Sequence, residues 1–179
     1  MRALEHAMLR LEPQVEGHAE EMFAVLADPA IYAHENAPPP SLAWLAQRYR
    51  KLESRASPDG TERWLNWVVR LPSGELAGCV QATVYASGRA AIAYELNSRH
   101  WGRGIATAAV ERMIAELAAA YGVETLSAVL KGANLRSRRL LERLGFALAP
   151  DAMREEAEAG ADELLMVRSA AGRGILALP

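Results

Sequence analysis

The sequence holds one cysteine, Cys79, among 179 residues. Neither an internal disulfide nor a cysteine-based zinc cluster can therefore form. The four histidines lack metal-ligand spacing, and no metal is expected. Aromatic residues make up 6% of the chain. Trp44, Trp64, Trp67 and Trp101 are scattered over helix, strand and loop, which for most of them suits core packing better than a stacking surface. Neither sign of charge dominates: the formal net charge is −2 and the pI is near 6.1. That excludes a global field drawing nucleic acid or an anionic membrane. Long apolar runs are also missing. Arg2, Glu5, His6, Arg10 and Glu12 interrupt the first thirteen residues, whereas a signal peptide needs ~7–15 uninterrupted apolar residues and a membrane span ~20. A cytoplasmic location is expected. What the chain does have is a 51% hydrophobic content, enough for one core and one domain over residues 1–179. Residues 170–179 read as a frayed tail.

The order of elements follows from periodicity and punctuation. Residues 8–11 suit a short strand. Residues 16–27 suit a helix with Ala19, Met22, Phe23 and Leu26 on one face, ended by Asp28-Pro29. Three successive prolines make 31–40 irregular. Ser41 is placed to cap a second helix with Leu42, Leu45, Ala46, Tyr49 and Leu52 inward. Strands at 64–71, 76–85 and 89–96, separated by turn residues, form an antiparallel meander. From residue 103 the period changes, with Val110, Met113, Ile114, Leu117 and Tyr121 forming a helical stripe and Gly122 its C-cap. A strand at 123–130 completes a strand–helix–strand unit, which favours a parallel, right-handed crossover. A helix over 134–144, closed by Gly145, precedes strands at 146–149 and 163–169 around an acidic loop containing Glu155, Glu156 and Glu158. The expectation is an α+β domain whose mixed central sheet has about seven strands, with four helices.

The stretch Arg99-His100-Trp101-Gly102-Arg103-Gly104-Ile105-Ala106-Thr107 joins a strand to a helix. The first turn of a helix offers unpaired N–H groups and the positive end of the dipole. Without side chains at Gly102 and Gly104, that backbone can approach a phosphate closely. Amide donors to a charged oxygen contribute ~1.5–3 kcal/mol each, and Arg103 could add an ionic contact. By itself a G-x-G pair more often marks an ordinary turn. Neither G-x-x-x-x-G-K-[ST] nor the third glycine of G-x-G-x-x-G is present, which argues against nucleotide hydrolysis and dinucleotide binding.

Residues Arg99 to Gly104 resemble the R/Q-x-x-G-x-G/A signature of the GNAT acetyltransferase superfamily. Trp101-Gly102-Arg103-Gly104-Ile105-Ala106-Thr107-x-Ala109 is similar to its RimJ/RimL-type branch (ribosomal-protein alanine/serine N-acetyltransferase-like). So is Asn134-x-x-Ser137-x-x-Leu140-Leu141-Glu142-Arg143-Leu144-Gly145-Phe146, as are Leu11-Glu12-Pro13 and Ala27-Asp28-Pro29. The resemblance covers nearly the whole chain. It implies the GNAT fold, with a V-shaped splay between the fourth and fifth strands, and acetyl-CoA as co-substrate, its pyrophosphate on the amides of the glycine turn. The cofactor-binding residues implied are Leu96, Asn97, Arg99, Trp101, Gly102, Arg103, Gly104, Ile105, Ala106, Thr107, Asn134 and Ser137.

Acetyl transfer needs a neutral amine, a donor for the oxyanion and a proton for the departing thiolate. The amides near Leu96 and Asn97 are the candidates for the thioester carbonyl. Glu95 is the candidate base, directly or through water, and alternation puts it on the face opposite Tyr94 and Leu96. A structural ion pair is the competing reading for Glu95, and Glu163 on the last strand is the fallback base. Many GNAT enzymes carry a tyrosine seven residues after the motif asparagine. Here that position is Leu141, which cannot donate a proton. Ser137, one turn earlier on the same helical face, would orient the sulfur, and Asn134 would contact the pantetheine or cap the helix. Arg136, Arg138, Arg139 and Arg143 read as a solvated face from which one or two meet the adenosine 3′-phosphate. His34 and Glu35 lie where the family's first two helices wall off the acceptor, and are the candidate acceptor contacts beside Glu95. The resemblance implies a protein N-terminal α-amino group as acceptor. A small amine, or a non-catalytic coenzyme A-binding domain, are the alternatives. Family members are often homodimers, though the sequence carries no unambiguous interface pattern.

Overall fold

A computed structural model describes residues 1–34, 36–156 and 159–170. The expected meander is present as β3 (Glu62–Arg70), β4 (Leu76–Tyr85) and β5 (Arg89–Leu96). Before it come β1 (Leu4–His6) and β2 (Leu9–Pro13), then α1 (Ala19–Val25) and α2 (Leu42–Leu52). After it come α3 (Ile105–Tyr121), β6 (Thr125–Lys131), α4 (Leu135–Arg143), β7 (Ala147–Leu148), α5 (Asp151–Glu156) and β8 (Glu163–Ser169). The sheet has eight strands in the order β1-β2-β3-β4-β5-β6-β8-β7. Two elements exceed the sequence expectation. The hairpin partner β1 is three residues long, too short to show a period. The second, α5, occupies part of the stretch read as an acidic loop. Residues 171–179, nearly all of the expected tail, lie outside the described residues, but Ala170 is docked through its N–H on Glu124 O at 2.8 Å.

Helices cover both faces. On one, Met22 and Val25 of α1 and Leu45 and Tyr49 of α2 pack on Val68 and Leu76. On the other, Met113 and Leu117 of α3 and Leu140 and Leu141 of α4 pack on Leu11, Trp67, Val80 and Leu126. Full burial of one such side chain contributes ~1.5–3 kcal/mol. Trp67 is fully buried, its indole N–H on Arg2 O. Trp44 lies outside the core, 43% exposed on α2 with the Arg48 guanidinium over its ring. Leu42, expected inward, is 40% exposed because it precedes the first buried turn of the helix. Ser41 caps α2 as expected, its Oγ accepting from Trp44 N at 3.1 Å.

Two features of strand pairing open the sheet and re-aim its central strands. The β5–β6 pairing is parallel and covers Arg89↔Thr125, Ala90↔Leu126 and Ala91↔Ser127. Beyond Ala91 the strands part. With β1 counted, the expected splay between the fourth and fifth strands therefore lies between β5 and β6. The other feature is a bulge in β4. The β3–β4 register passes from Val69↔Gly78 to Arg70↔Leu76, so Ala77 is the extra residue, and its carbonyl accepts from Asn97 N at 2.9 Å. A bulge bends its strand and re-aims neighbouring groups. Here β4 comes so close to the end of β5 that a Cβ on Gly78 would sit 2.0 Å from the Glu95 carbonyl oxygen. Gly78→Ala is expected to destabilise the protein by ~1–3 kcal/mol through overpacking, read as a fall of several degrees in Tm. An unchanged Tm would mean that β5 is not fixed at this point.

Candidate active site at the splayed strands

The splay opens into a cavity of about 550 Å³ that reaches both faces of the sheet. Tyr94, Leu96, Leu140 and Leu141 line it on the α3/α4 side, and Ala30, His34, Ala93 and Glu95 on the α1/α2 side. The division follows from register. The pairs Val68↔Cys79 and Cys79↔Glu95 carry Glu95 to the α1/α2 face, whereas Trp67↔Val80 and Val80↔Tyr94 carry Tyr94 to the other, as strand alternation requires. Ladder hydrogen bonds alternate in the same way. Since Asn97 N is committed to Ala77 O, the N–H groups of Leu96 and Tyr94 point away from β4, toward the opening. Of the two amides read as candidates for a carbonyl site, that of Leu96 faces the splay. That of Asn97 does not, because the bulge occupies it.

At one end of the opening stands the glycine turn. Gly102 (φ 74°) and Gly104 (φ 79°) both take left-handed backbone, which suits glycine. Gly104 is the N-cap of α3, so no side chain caps that helix, and its first turn holds no acidic residue. The amides of Ile105, Ala106 and Thr107 are the leading donors of a helix seventeen residues long, with the positive end of its dipole behind them. A Cβ on Gly102 would have nothing within 4 Å. Trp101 closes the turn onto β5, its indole N–H donating to Leu96 O at 2.9 Å. The Arg136 guanidinium stacks 3.4 Å from the Trp101 ring centroid, a cation–π contact that ties the start of α4 to the turn.

The expected arginine roles divide. Arg99 turns away, pairing with Glu75 at 3.0 Å and donating to His100 Nε2; its guanidinium is used in holding the turn. Arg138 pairs with Glu142. Arg103 and Arg139 are exposed and stay available for an anion. Asn134 caps α4, its Oδ1 accepting from Ser137 N at 3.1 Å, and it also lines the cavity, so capping and the expected pantetheine contact are compatible. Ser137 is not a cap. Its Oγ lies 2.6 Å from the Tyr94 hydroxyl, across the cavity wall.

Around Glu95 the α1/α2 side is weakly polar. Burial, then the charge of Glu95, pushes the Tyr32 hydroxyl up to about 12. Burial first, with Glu95 contributing, also raises Tyr49 and Cys79. All three stay neutral beside the carboxylate, an environment suited to a cationic or amine ligand. The wall itself hangs from the end of β5. Asn97 Nδ2 donates to Val25 O at 3.0 Å, and Asp28 Oδ2 accepts from Ser98 N at 2.6 Å. The hydrogen bonds from Ser98, with a smaller contribution from Ala30 N–H, hold the Asp28 carboxyl below its ordinary range. His34 lines the cavity and is exposed. Glu35 lies outside the described residues. Glu163 is held elsewhere, by Lys131 Nζ at 2.9 Å and Gly160 N–H at 3.0 Å. Its carboxyl is lowered by the Lys131 bond first, so the fallback base is engaged in an ion pair away from the opening.

Two contributors were not legible in sequence. Asp28 reads there as a helix stop, and Tyr94 only as a residue on the face opposite Glu95, because each gains its partner from more than forty residues away.

An acetyltransferase (GNAT) domain model matches residues 8–147. The chain belongs to the GNAT acetyltransferase family. This GNAT protein is therefore an acyltransferase, of a family that uses acetyl-CoA. It is similar to the uncharacterized N-acetyltransferase YoaA of Bacillus subtilis (strain 168), 27% identical over 149 residues, 80% of this chain and 81% of that protein. Its fold resembles that of RimL, a ribosomal-protein α-N-acetyltransferase solved in complex with coenzyme A. The TM-score is 0.77 at 14% identity, covering 93% of this chain and 97% of the other. It also resembles a chimera of the spermidine N-acetyltransferase SpeG from Vibrio cholerae and hSSAT, with a TM-score of 0.74 at 19% identity over 92% and 97% of the two chains. Among the described residues no helix is long and apolar enough to cross a membrane.

Proposed function

We propose that this GNAT protein transfers the acetyl group of acetyl-CoA to a primary amine by direct attack in a ternary complex. The observation that carries the reading is the through-sheet cavity, with uncapped amides at one end and a carboxylate on the far face. The residues present fit the co-substrate: Ile105, Ala106 and Thr107 offer their amides to the pyrophosphate, and Gly102 and Gly104 leave room for it. Acetyl-CoA, when bound, supplies an activated acyl thioester. The Leu96 amide donates to the carbonyl oxygen as negative charge develops there. Glu95 accepts the amine's proton, directly or through one water. Ser137 donates toward the sulfur. Arg103 or Arg139 meets the outer phosphate charge.

For the acceptor we favour a protein N-terminal α-amino group, as the RimJ/RimL-type motifs suggest. A second hollow of about 340 Å³, lined by Arg48, Trp64, Asn66, Gln81 and Thr83, shares Gln81 and Ala93 with the splay cavity. Amide side chains and one cation in series along the sheet suit the repeated carbonyl groups of an extended peptide. An α-amino group, with a pKa near ~8, also needs less help from a base than a lysine at ~10.4. The likeness in fold to a spermidine acetyltransferase keeps small amines as the second reading.

Thiol release from acetyl-CoA, followed across N-terminal peptides and small amines, tests this. Turnover is expected with peptides bearing a free α-amine and not with their N-blocked forms. Turnover confined to small amines removes the peptide reading. Tight acetyl-CoA binding with no acetylated product would favour a non-catalytic domain.

A further inference from the structure

Tyr94 and Ser137 make a short side-chain contact at the splay, and the proposed acetyl transfer uses only the serine. Tyr94 stands on the stretch of β5 that has lost its β6 partner, and Ser137 on the first turn of α4. Their oxygens, 2.6 Å apart, allow either to donate. If Ser137 donates to the phenol, its one hydrogen is used up and nothing is left for a ligand in the cavity. If Tyr94 donates, the serine hydrogen is free to turn into the opening.

We propose that Tyr94 is a positioning residue: its phenol donates to Ser137 Oγ and so directs the Ser137 hydroxyl at the sulfur of the co-substrate. This rests on the acetyl-transfer reading of the site. A phenol is the stronger acid of the two hydroxyls and the weaker acceptor, which sets the direction of the bond. Burial pushes the Tyr94 hydroxyl up to about 12, against the opposing effects of the Ser137 bond and Arg143. The phenol therefore keeps its hydrogen throughout the neutral range. The backbone oxygen of Ser137, 3.3 Å from the phenol, competes for the same single hydrogen, but Oγ at 2.6 Å is the nearer acceptor. Donation into Oγ polarises the serine O–H, since hydrogen bonds in series strengthen one another. Leu140 and Leu141 line the same wall and offer no polar competitor.

The proton balance differs from acid catalysis. An ordinary alkyl thiol titrates near ~8.5, well below Tyr94, so neither the phenol nor the still weaker serine acid gives up its proton. As the amine nitrogen bonds to the acyl carbon and the carbon–sulfur bond breaks, the electron pair stays on sulfur. There it is held by the Ser137 hydrogen bond. The amine's proton leaves by Glu95 to solvent, and the sulfur takes its proton from solvent on release. The pair thus does, by donation alone, what a tyrosine at position 141 would do by proton transfer.

The test needs no acceptor. Coenzyme A bearing its free thiol is bound to wild type, Tyr94→Phe, Ser137→Ala and the double variant, and thiolate formation is followed by ultraviolet absorbance against pH. Cys79, whose thiol burial pushes up, stays silent. The bound thiol is expected to be more acidic in wild type than in either single variant. Each substitution should cut its acidity about 3- to 10-fold, as loss of one neutral hydrogen bond does, and the double variant should match the singles. In turnover, Tyr94→Phe should lower kcat by the same factor with KM for acetyl-CoA unchanged and Tm close to wild type. A Tyr94→Phe thiol that titrates like wild type while Ser137→Ala shifts would overturn the proposal. So would a double variant showing the sum of the two effects, or a Tyr94→Phe effect seen in Tm and KM alone, since these describe a brace. Failure of wild type to bind coenzyme A would instead remove the site reading on which the proposal stands.

Discussion

Glu95→Gln is expected to lower kcat by about 10²- to 10³-fold at neutral pH, the range typical of a lost general base, with affinity for coenzyme A within about twofold. The substitution keeps size and hydrogen-bonding capacity but removes the ability to take a proton. Glu95 is on the α1/α2 face, opposite the turn and Ser137, so the amide should leave coenzyme contacts alone. Its charge is felt by Tyr32, Tyr49 and Cys79, on the side of the sheet by which the proposed acceptor would enter. The pH dependence separates a base from a structural ion. An α-amino acceptor becomes neutral by itself as pH rises through ~8, so the deficit of Glu95→Gln should shrink between about pH 7 and 9.5. A deficit constant over that range, or one shared equally by coenzyme affinity, would remove Glu95 from the role.

Gly104→Val is expected to raise the Kd for coenzyme A about 10- to 100-fold, equivalent to losing about one amide bond to a charged oxygen at ~1.5–3 kcal/mol. The glycine sits at φ 79°, and a β-branched residue is a genuine outlier there. The chain should relieve the strain by rotating the Gly104–Ile105 peptide, which turns the leading amides of α3 away from their common focus. Space is not the issue, because a Cβ would approach little besides Met8 Cε at 3.8 Å. Titration calorimetry with coenzyme A, at matched helix content, measures the effect. An unchanged Kd would mean that the pyrophosphate does not sit on this turn.

Much of this arrangement could be read from sequence because its signals are local. Alternation in 89–96 put Glu95 and Tyr94 on opposite faces. Ser41 and Gly122 sit at the ends of helices where their residue types belong, and the G-x-G pair announced an uncapped helix start. The parting of β5 from β6 is different: nothing in 92–96 marks the loss of a partner, and it came from the family resemblance alone. Long-range polar pairs were equally hidden. Asp28 has a sufficient local role as a helix stop and 3-10 cap, which masks its bond to Ser98. Asn97 looked like a free amide until the Ala77 bulge, a two-strand property, took its N–H. The short β1 and α5 fell below the length at which a period can be counted. Leu42 is placed inward by its spacing, yet it is the first residue after the cap, and the buried stripe of the helix runs through Leu45 and Tyr49.

Asn97 and Ser98 carry a burden beyond their own turn. The two consecutive residues suspend the end of α1 and the Asp28 corner while also leading directly into the glycine seat. Height and tilt of that front wall are thereby set by the same few ångströms of backbone that align the nucleotide end of the cleft. If the acceptor lies against that wall, as proposed, changes of acceptor preference are expected beyond Tyr32 and in α2, and not at residues 25–30, where they would disturb the donor end as well.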